Sequence, residues 1–430
     1  MSASREPMPN AGGLELYTTG TDPTVYDPET GVYPPWADPP NPNDLAPGVL
    51  SARIANSVCP PDWGVDEAGR PVVLTAAADA PENRGLLGKW GPNRAGELSV
   101  VGQDHTGKRF LLLAYRMDVR EVGPGVKRKQ YQWSLPGGMV DEGEFVKDTM
   151  LREIEEEANL PLRSLVPKVL YQLVTKDFRN GMHGRIETTG GYLLLPYVPE
   201  TEADGTEIDV FGWFEIKGSP EEFIKNLQKP PNIAEEDHVP GMFASHDQGV
   251  AAVFEALQTF GAKMEAAQIA RRELRHEDAL RLQREASELV PESVEQGIAL
   301  RGQAASYERL GEYDAAIATA QSAVAVHDKF LELVPAEATD HVAVVRRELG
   351  VSKGMLGRVI IGSLVHMERN GASKPADARR EVMAAIGHLT DAVEDIAASE
   401  RTLGMVDQDK IHLLSRLALA HALYGGVNAG

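Results

Sequence analysis

Four glutamates and one glycine between Gly138 and Leu160 have the residue types and spacing that could hold a metal ion against a pyrophosphate. The segment reads GMVDEGEFVKDTMLREIEEEANL, and the residues in question are Gly138, Glu144, Glu153, Glu156 and Glu157. Magnesium is a hard cation that is suited to carboxylate oxygens and water, and it can bridge to substrate phosphates without a closed protein cage. The pattern therefore predicts metal-assisted hydrolysis of a phosphate anhydride.

A helix over residues 144–158 is the element that must position these side chains. On such a helix Glu153 and Glu157 lie one turn apart with Glu156 between them, so three carboxylates converge on one face. A second face carries an apolar stripe, formed by Met150, Leu151, Ile154 and Ala158. One side of the helix is thus predicted to bind metal while the other packs into a core.

An acidic helix can also be a plain solvated surface, and three glutamates alone would favour that interpretation. The other residues of the segment favour a catalytic helix over a solvated surface. The glycine pair Gly137 and Gly138, the isolated Glu144 and the adjacent Arg152 and Glu153 all fall in one register. Their combined spacing favours a catalytic helix.

Residues 138–160 resemble the Nudix box, G-x5-E-x7-R-E-U-x-E-E-x-G-U with U aliphatic. One position departs, since Asn159 stands where the pattern has glycine. The residue after a helix end often needs left-handed backbone, which asparagine tolerates better than other residues except glycine. We therefore expect the asparagine to leave the site intact.

The resemblance implies specific roles within the box. Glu153 and Glu157 are the leading metal ligands, Glu156 contributes a ligand or positions its neighbours, and the Gly138 carbonyl completes the coordination. Glu153, Glu156 and Arg152 are the predicted catalytic residues, with Arg152 suited to holding a carboxylate by a bidentate pair. The expected cofactor is Mg2+, with Mn2+ as the alternative.

Composition limits the kinds of partner. The 430 residues carry 64 acidic and 43 basic side chains, and the net charge of −21 argues against broad contact with a nucleic-acid backbone. Cys59 is the only cysteine, which excludes an intrachain disulfide and indicates a reducing compartment. The sequence shows neither a secretory signal nor a membrane span. We therefore expect a cytoplasmic protein with no nucleic-acid or membrane partner.

The chain is long enough for two or three domains. Strand-like runs flank the acidic helix and predict a mixed α/β/α sandwich, whereas the sequence past Gly261 has helical stretches and hardly any strand-like alternation. The predicted organisation is a disordered tail at 1–20, an N-terminal cap lobe at 21–95, a Nudix hydrolase domain at 96–261 and an α-helical repeat-like interaction domain at 262–430.

The helical part carries a weak repeat signal. ERLGEYDAAIATAQSAV, residues 308–324, resembles a tetratricopeptide repeat over one helical hairpin. ELVP occurs at 288–291 and again at 332–335, a spacing longer than that repeat. Two interpretations of the helical part fit this signal. One is an irregular tetratricopeptide-like array that binds a protein partner, and the other is a plain helical bundle used for self-association.

Six further segments narrow the family. They occur in the order WADP (36–39), RGLLGKWGPN (84–93), WSLPGGMVDEGE (133–144), DFRN (177–180), IET (186–188) and ASH (244–246). Over residues 20–260 the chain resembles the mitochondrial-type ADP-ribose pyrophosphatases and the ADP-ribose-binding tail of the melastatin cation channel. The resemblance implies hydrolysis of ADP-ribose to AMP and ribose 5-phosphate. The helical C-terminal part has no counterpart in that family.

The same resemblance places substrate contacts at Asp177, Arg179 and Asn180, whose polar groups could read ribose hydroxyls or phosphate. Trp90 or Phe178 could stack on adenine, although aromatic residues in such positions more often belong to the core. The general base is open between Glu153 and a later acidic residue, and the later candidates are Glu187, Glu202, Asp204 and Glu207. Glu187 is also a predicted substrate contact. His246 matches a closing-helix histidine that packing or capping explains as well as catalysis.

The sequence is compatible with three functions. The first is a Mg2+-dependent ADP-ribose pyrophosphatase with an appended helical domain. The second is a sensor that binds ADP-ribose or a related nucleotide with little turnover, as the channel resemblance implies. The third is the same chemistry on another dinucleotide, such as NADH, or on a sugar nucleotide. Intact Glu153, Glu156 and Glu157 favour an enzyme over a sensor.

Overall fold

The computed structural model describes a chain of helices and strands in the ranges that follow. The described residues are 5–9, 15–19, 22–24, 47–67, 69–74, 87, 89–123, 126–141, 143–175, 177, 180–203, 205, 208–243, 245–370, 378–404 and 408–428. Of the predicted tail at 1–20, only the backbone of two short strands lies within these ranges. The disorder of that tail stays a prediction.

The N-terminal region contains two small antiparallel sheets and one helix. Strands β1 (Arg5–Pro9), β2 (Glu15–Thr19) and β3 (Asp22–Thr24) pair in sequence order. Helix α1 (Pro47–Ala55) precedes a second sheet of β4 (Trp63–Val65) and β5 (Pro71–Val73). Much of the predicted cap lobe at 21–95 lies outside the described residues.

An eight-stranded mixed sheet follows, and it positions the acidic segment. The strands are β6 (Gly91–Gln103), β7 (Arg109–Gly123), β8 (Val126–Ser134), β9 (Gly137–Met139), β10 (Lys168–Val174), β11 (Gly184–Leu195), β12 (Ile208–Glu215) and β13 (His238–Met242). They pair in the order β10-β11-β6-β7-β8-β13, with β12 paired to β7 and β9 paired to β6. β7 and β8 are antiparallel, whereas β8 and β13 are parallel.

The middle of this sheet forms the core, because β11 is buried along its whole length and β6 along nearly all of it. Most of the buried side chains are apolar, as a strand covered on both faces requires. Glu97 on β6 and Glu187 on β11 are exceptions, with exposed fractions of 6% and 1%. A buried carboxylate needs hydrogen-bonding or ionic partners, so each of these two glutamates indicates a buried polar network.

Helix α2 (Val146–Ala158) is the acidic helix, and it begins two residues later than predicted. Its apolar stripe is buried as expected, at Met150, Leu151, Ile154 and Ala158. Asn159 ends the helix in the left-handed conformation, with φ 53° and ψ 38°. The asparagine thus supplies the backbone geometry for which the sequence pattern uses glycine. The short helix α3 (Pro220–Lys225) follows and begins with a capping box between Ser219 and Glu222.

From residue 246 onward the described residues form helices and no strands. The helices are α4 (His246–Arg272), α5 (His276–Leu289), α6 (Val294–Leu310), α7 (Tyr313–Leu333), α8 (Thr339–Arg369), α9 (Ala378–Leu403) and α10 (Gln408–Asn428). Gly311 ends α6 at φ 80°, which allows the sharp turn into α7. The predicted fold class, a mixed α/β part followed by an all-helical part, is confirmed. The tetratricopeptide likeness stays a prediction.

The backbone divides into two compact units. One contains residues 1–99, 111–192 and 200–254, and the other contains 100–110, 193–199 and 255–430. The second unit has its own apolar core, to which Leu356, Val382, Leu389 and Ile396 contribute. No helix within the described ranges has both the length and the apolar character needed to cross a membrane.

Candidate active site

Arg152 is the centre of the acidic face of α2. Its guanidinium donates to both oxygens of Glu144, from Nε at 3.0 Å and from Nη2 at 3.1 Å. Nη1 donates to Glu153 Oε1 at 2.7 Å and to Glu156 Oε2 at 3.0 Å. Nη2 also donates to the Met139 carbonyl at 3.2 Å. A planar guanidinium suits this task because its donors point in fixed directions.

The pKa values of these groups differ for physical reasons. Hydrogen bonds from Arg152, reinforced by Thr149, lower the pKa of Glu144 to about 2 despite its partial burial. Burial raises the pKa of Glu153, and the charge of Arg152 only partly opposes that effect. Hydrogen bonds to Glu144 raise the pKa of Arg152 above its already high value. Burial therefore disfavours the ionised form of Glu153, and an added cation would stabilise that form.

The glycine pair allows a close approach between β9 and its neighbours. A Cβ atom on Gly138 would lie 2.3 Å from Glu153 Oε1, so the carboxylate rests directly on the backbone. A Cβ atom on Gly137 would lie 2.2 Å from the Gly96 carbonyl on β6. Neither position accepts a side chain without displacing its neighbour. Gly138 therefore sets how near α2 stands to β9, and Gly137 sets how near β9 stands to β6.

Glu157 approaches the same turn. Its Oε2 accepts a hydrogen bond from the Gly137 N–H at 3.2 Å. Glu156 is the most exposed of the three predicted carboxylate ligands, with 56% of its side chain accessible. The structure thus brings Glu153, Glu156 and Glu157 to one helix face and places Gly138 beside it.

The oxygen atoms of Glu153, Glu156 and Glu157 and the Gly138 carbonyl are the candidate ligands of a metal ion. Within the described ranges, no three His, Cys, Asp or Glu side chains stand arranged as a ready metal site. Arg152 engages one oxygen each of Glu153 and Glu156, and the second oxygen of each can still coordinate. Carboxylate oxygens with a nearby carbonyl are what Mg2+ and Mn2+ accept. The residues fit an open site that is completed by substrate and water.

A second polar network lies against the same turn and was not predicted. Glu97 Oε2 accepts from the Tyr171 hydroxyl at 2.6 Å, and His246 Nε2 lies 3.4 Å from Glu97 Oε1. The Leu135 N–H donates to His246 Nδ1 at 2.8 Å. Because Nδ1 accepts, the proton of a neutral His246 is on Nε2 and faces Glu97. Burial, with the charge of Glu97, raises the pKa of Tyr171, which keeps its hydroxyl a donor.

This network explains what His246 does. Its ring fixes the backbone at Leu135, two residues before Gly137, while Glu97 pairs with Gly137 across β6 and β9. The glycine turn is therefore held from the sheet side by His246 and from the helix side by Glu157. The only sequence signal for Glu97 is a single carboxylate within the otherwise apolar run ELSVVG.

Glu187 lies in a buried network of hydrogen bonds on β11. Its Oε1 accepts from the Ser57 hydroxyl at 2.7 Å and from the Trp63 indole N–H at 3.1 Å, and its Oε2 accepts from the Val58 N–H at 2.7 Å. Arg185 Nε donates to Oε1 at 3.0 Å. These contacts anchor the segment after α1 to β11. They favour an anchoring role over the predicted substrate contact or general base.

The predicted substrate residues are only partly described. Arg179 and Phe178 lie outside the described residues, whereas Asp177 is buried with an exposed fraction of 7%. Asn180 uses its side chain on the backbone, since Nδ2 donates to the Thr175 carbonyl at 2.7 Å and Oδ1 accepts from the Ile186 N–H at 2.8 Å. Asn180 therefore shapes the connection between β10 and β11.

Trp90 was predicted to contact substrate, and Glu202, Asp204 and Glu207 were predicted as candidate general bases. Trp90 is 2% exposed and packs edge-on against His183, with ring centroids 5.8 Å apart, so its position is that of a core residue. Glu202 is exposed, and its N–H donates to the Ala158 carbonyl at the end of α2. The other two acidic candidates, Asp204 and Glu207, lie outside the described residues.

Part of this chain is similar to known proteins. Residues 99–230 match the NUDIX domain model, so the chain contains a NUDIX domain. A Caenorhabditis elegans protein named as a nudix hydrolase is 41% identical over 113 residues, which are 24% of this chain and 39% of that protein. The mitochondrial ADP-ribose pyrophosphatase of Rattus norvegicus is 38% identical over 137 residues, which are 29% of this chain and 37% of that enzyme.

A channel protein and a solved structure extend the comparison. The Nematostella vectensis transient receptor potential cation channel subfamily M member-like 2 is 36% identical over 78 residues, which are 18% of this chain and 5% of that protein. The NUDIX domain of Shewanella oneidensis NrtR, crystallised with ADP ribose, aligns over 39% of this chain and 89% of that one at 17% identity. The TM-score of this alignment is 0.27.

The low pKa of Glu144 predicts a pH-dependent contribution to stability. The value falls from 4.5 to about 2 on folding, so the contribution is complete above pH 4.5 and is lost as pH falls towards 2. We expect the free energy of unfolding to drop less steeply over this window in Glu144→Gln than in the wild type. Urea denaturation at several pH values measures the slopes, and equal slopes would contradict the assignment.

The Leu135–His246 contact predicts a second stability effect. His246→Ala leaves the buried Leu135 N–H without its acceptor, and we expect a loss of about 1–3 kcal/mol in the free energy of unfolding. His246→Asn can place an amide oxygen near the position of Nδ1 and should recover part of that loss. Chemical denaturation compares the three proteins. Equal stability of the alanine and asparagine variants would show that the hydrogen bond is not the cause.

Proposed function

We propose that this protein hydrolyses the pyrophosphate bond of ADP-ribose in a Mg2+-dependent reaction that yields AMP and ribose 5-phosphate. The observation that carries the proposal is the contact between Glu153 and Gly138, with Arg152 joining Glu153 to Glu144 and Glu156. The NUDIX domain match and the likeness to a mitochondrial ADP-ribose pyrophosphatase support the reaction type and substrate. The lone Cys59 supports a reducing compartment, for which we propose the cytoplasm.

Glu153, Glu156, Glu157 and the Gly138 carbonyl are the proposed holders of the metal. When bound, the divalent ion would neutralise charge on the pyrophosphate oxygens and lower the pKa of an attacking water. Arg152 orients the carboxylates, because it bonds Glu153 and Glu156 while Glu144 fixes it from the other side. An arginine in that position holds the geometry and does not need to touch substrate.

The general base is proposed to be Glu153. Glu187 has both carboxylate oxygens engaged by Ser57, Val58, Trp63 and Arg185. Glu153 instead keeps Oε2 outside its contact with Arg152 and stands at the glycine turn. While Oε2 accepts the proton, Glu156, Glu157 and the Gly138 carbonyl would hold the metal. A base must reach the proton that it abstracts, so position favours Glu153 over the anchored Glu187.

Substrate turnover tests the proposal. We expect ADP-ribose with Mg2+ to give AMP and ribose 5-phosphate, resolved by chromatography, with kcat reduced at least about 100-fold in Glu153→Gln and in Glu157→Gln. Glu155→Gln is the matched control, since Glu155 lies on the same helix but pairs with Arg163. The control should retain wild-type turnover because its carboxylate faces away from the site.

The competing functions give different results in the same assay. Tight binding of ADP-ribose without products would indicate a sensor. Faster turnover of NADH or of a sugar nucleotide would move the substrate assignment while keeping the chemistry. Equal turnover in the wild type and in Glu153→Gln would contradict the proposed metal face.

We also propose that the helical part binds a protein partner or joins two copies of the chain. Large apolar side chains on α10 support this, since Ile411, Leu414 and Leu419 are 63%, 46% and 40% exposed. Exposed apolar surface often marks an interaction site. If it joins two copies, the full chain should have a dimer mass by sedimentation and Ile411→Glu with Leu414→Glu should give monomer. A monomeric wild type would leave partner binding as the role.

A further inference from the structure

We propose that the helical unit contains an anion site that takes a phosphate monoester, built from four arginines on four helices. The arginine cluster consists of Arg271 on α4, Arg309 on α6, Arg358 on α8 and Arg416 on α10. Glu308 pairs with Arg358, and it is the carboxylate that opposes the positive charges acting on both Arg271 and Arg358. A concentration of arginines is unusual in a chain whose net charge is −21. The inference does not depend on the proposed function.

Arg358 is the centre of the cluster. Its Nη2 donates to Glu308 Oε2 at 2.6 Å, and 27% of its side chain is exposed. Its Nε is buried and has no hydrogen-bond partner within the described part of the chain. A buried guanidinium N–H without an acceptor is costly, and an incoming oxyanion would satisfy it.

Packing of the helices brings further charge beside Arg358. A Cβ atom on Gly354 would lie 2.2 Å from Leu413 Cδ2, so α8 and α10 touch there. Arg358 and Arg416 follow these two residues by about one helical turn on the same faces. Burial lowers the pKa of Arg358, and the charges of Arg416 and Arg309 lower it further while Glu308 opposes them.

Arg271 joins from α4. Burial lowers its pKa, and the positive charges of Arg358 and Arg309 add to that effect. Among the described residues, Arg271, Arg309 and Arg416 make no ion pair, in contrast to Arg358. Because the positive charge of Arg309 acts on both Arg271 and Arg358, an anion bound among these side chains would offset their repulsion.

The ligand class follows from the geometry of the donors. Guanidinium groups bind phosphate oxygens through paired hydrogen bonds, and a doubly charged phosphate monoester matches the excess positive charge better than a single carboxylate. The site also has an aromatic edge. A Cβ atom on Gly362, one turn beyond Arg358, would lie 3.2 Å from the Tyr313 ring, which packs on His366 at 5.0 Å. An organic group attached to the phosphate could rest there.

Calorimetric titration of the full chain tests the site, with inorganic phosphate as the first probe and AMP as the second. The buffer contains EDTA at low salt, which removes metal-dependent binding at the NUDIX domain and limits screening. We expect saturable phosphate binding in the wild type that weakens about tenfold or more in Arg358→Gln and in Arg271→Gln. AMP tighter than phosphate would assign the site to nucleotides, and equal affinity would assign it to the phosphate group alone.

Two matched variants sharpen the result. Arg272→Gln removes an exposed arginine next to Arg271 and should bind phosphate as the wild type does. Glu308→Gln removes the competing carboxylate and should tighten binding, an effect that a purely structural cluster would not give. Arg309→Gln and Arg416→Gln, at exposed positions, replace Arg358→Gln if that variant fails to fold. Titration without saturation in the wild type, or equal weakening in Arg272→Gln, would overturn the inference.

Discussion

The sharing of one guanidinium among several carboxylates is the interaction on which the candidate site depends. Arg152 bonds Glu144, Glu153 and Glu156 at 2.7–3.1 Å and also reaches the Met139 carbonyl. Without it, like charges on one helix face would repel and their side chains would spread into solvent. Its bonds to Glu144 and Met139 tie the helix to the residues that precede it. The acidic face is therefore a fixed arrangement and not a solvated surface.

The same site is supported from two directions. Gly138 allows Glu153 of α2 to rest against β9, and Gly137 allows β9 to approach β6, because a Cβ atom at either position would clash with Glu153 or with Gly96. From the other side, His246 holds the backbone just before the glycine turn. The Leu135 N–H fixes the tautomer of that histidine, so its Nε2 faces the buried carboxylate of Glu97. Turn, helix and sheet are thus held together by polar contacts that are buried and specific, as a site for chemistry requires.

Local patterns allowed much of this to be predicted from the sequence. The apolar stripe of α2 and the left-handed Asn159 follow from the residue pattern of one short segment, and the family resemblance implied that Gly138 lies beside Glu153. The roles of Glu97 and Glu187 could not be predicted, because their partners stand far away in the sequence, 74 residues in the case of Tyr171 and 130 in that of Ser57. The arginine cluster likewise depends on how four helices pack. The start of α2 was placed too early because Glu144 bonds Arg152 from outside the helix instead of forming part of its first turn.

Direct metal binding tests the central claim, that the carboxylates around Arg152 form an open divalent-metal site. Titration of the full chain with Mn2+, followed by the electron paramagnetic resonance signal of the free ion, measures this without substrate. The account predicts that the wild type removes free Mn2+ from solution, that Glu153→Gln binds it at least about tenfold more weakly, and that Glu155→Gln behaves as the wild type. Equal Mn2+ binding by the wild type and Glu153→Gln would contradict the account.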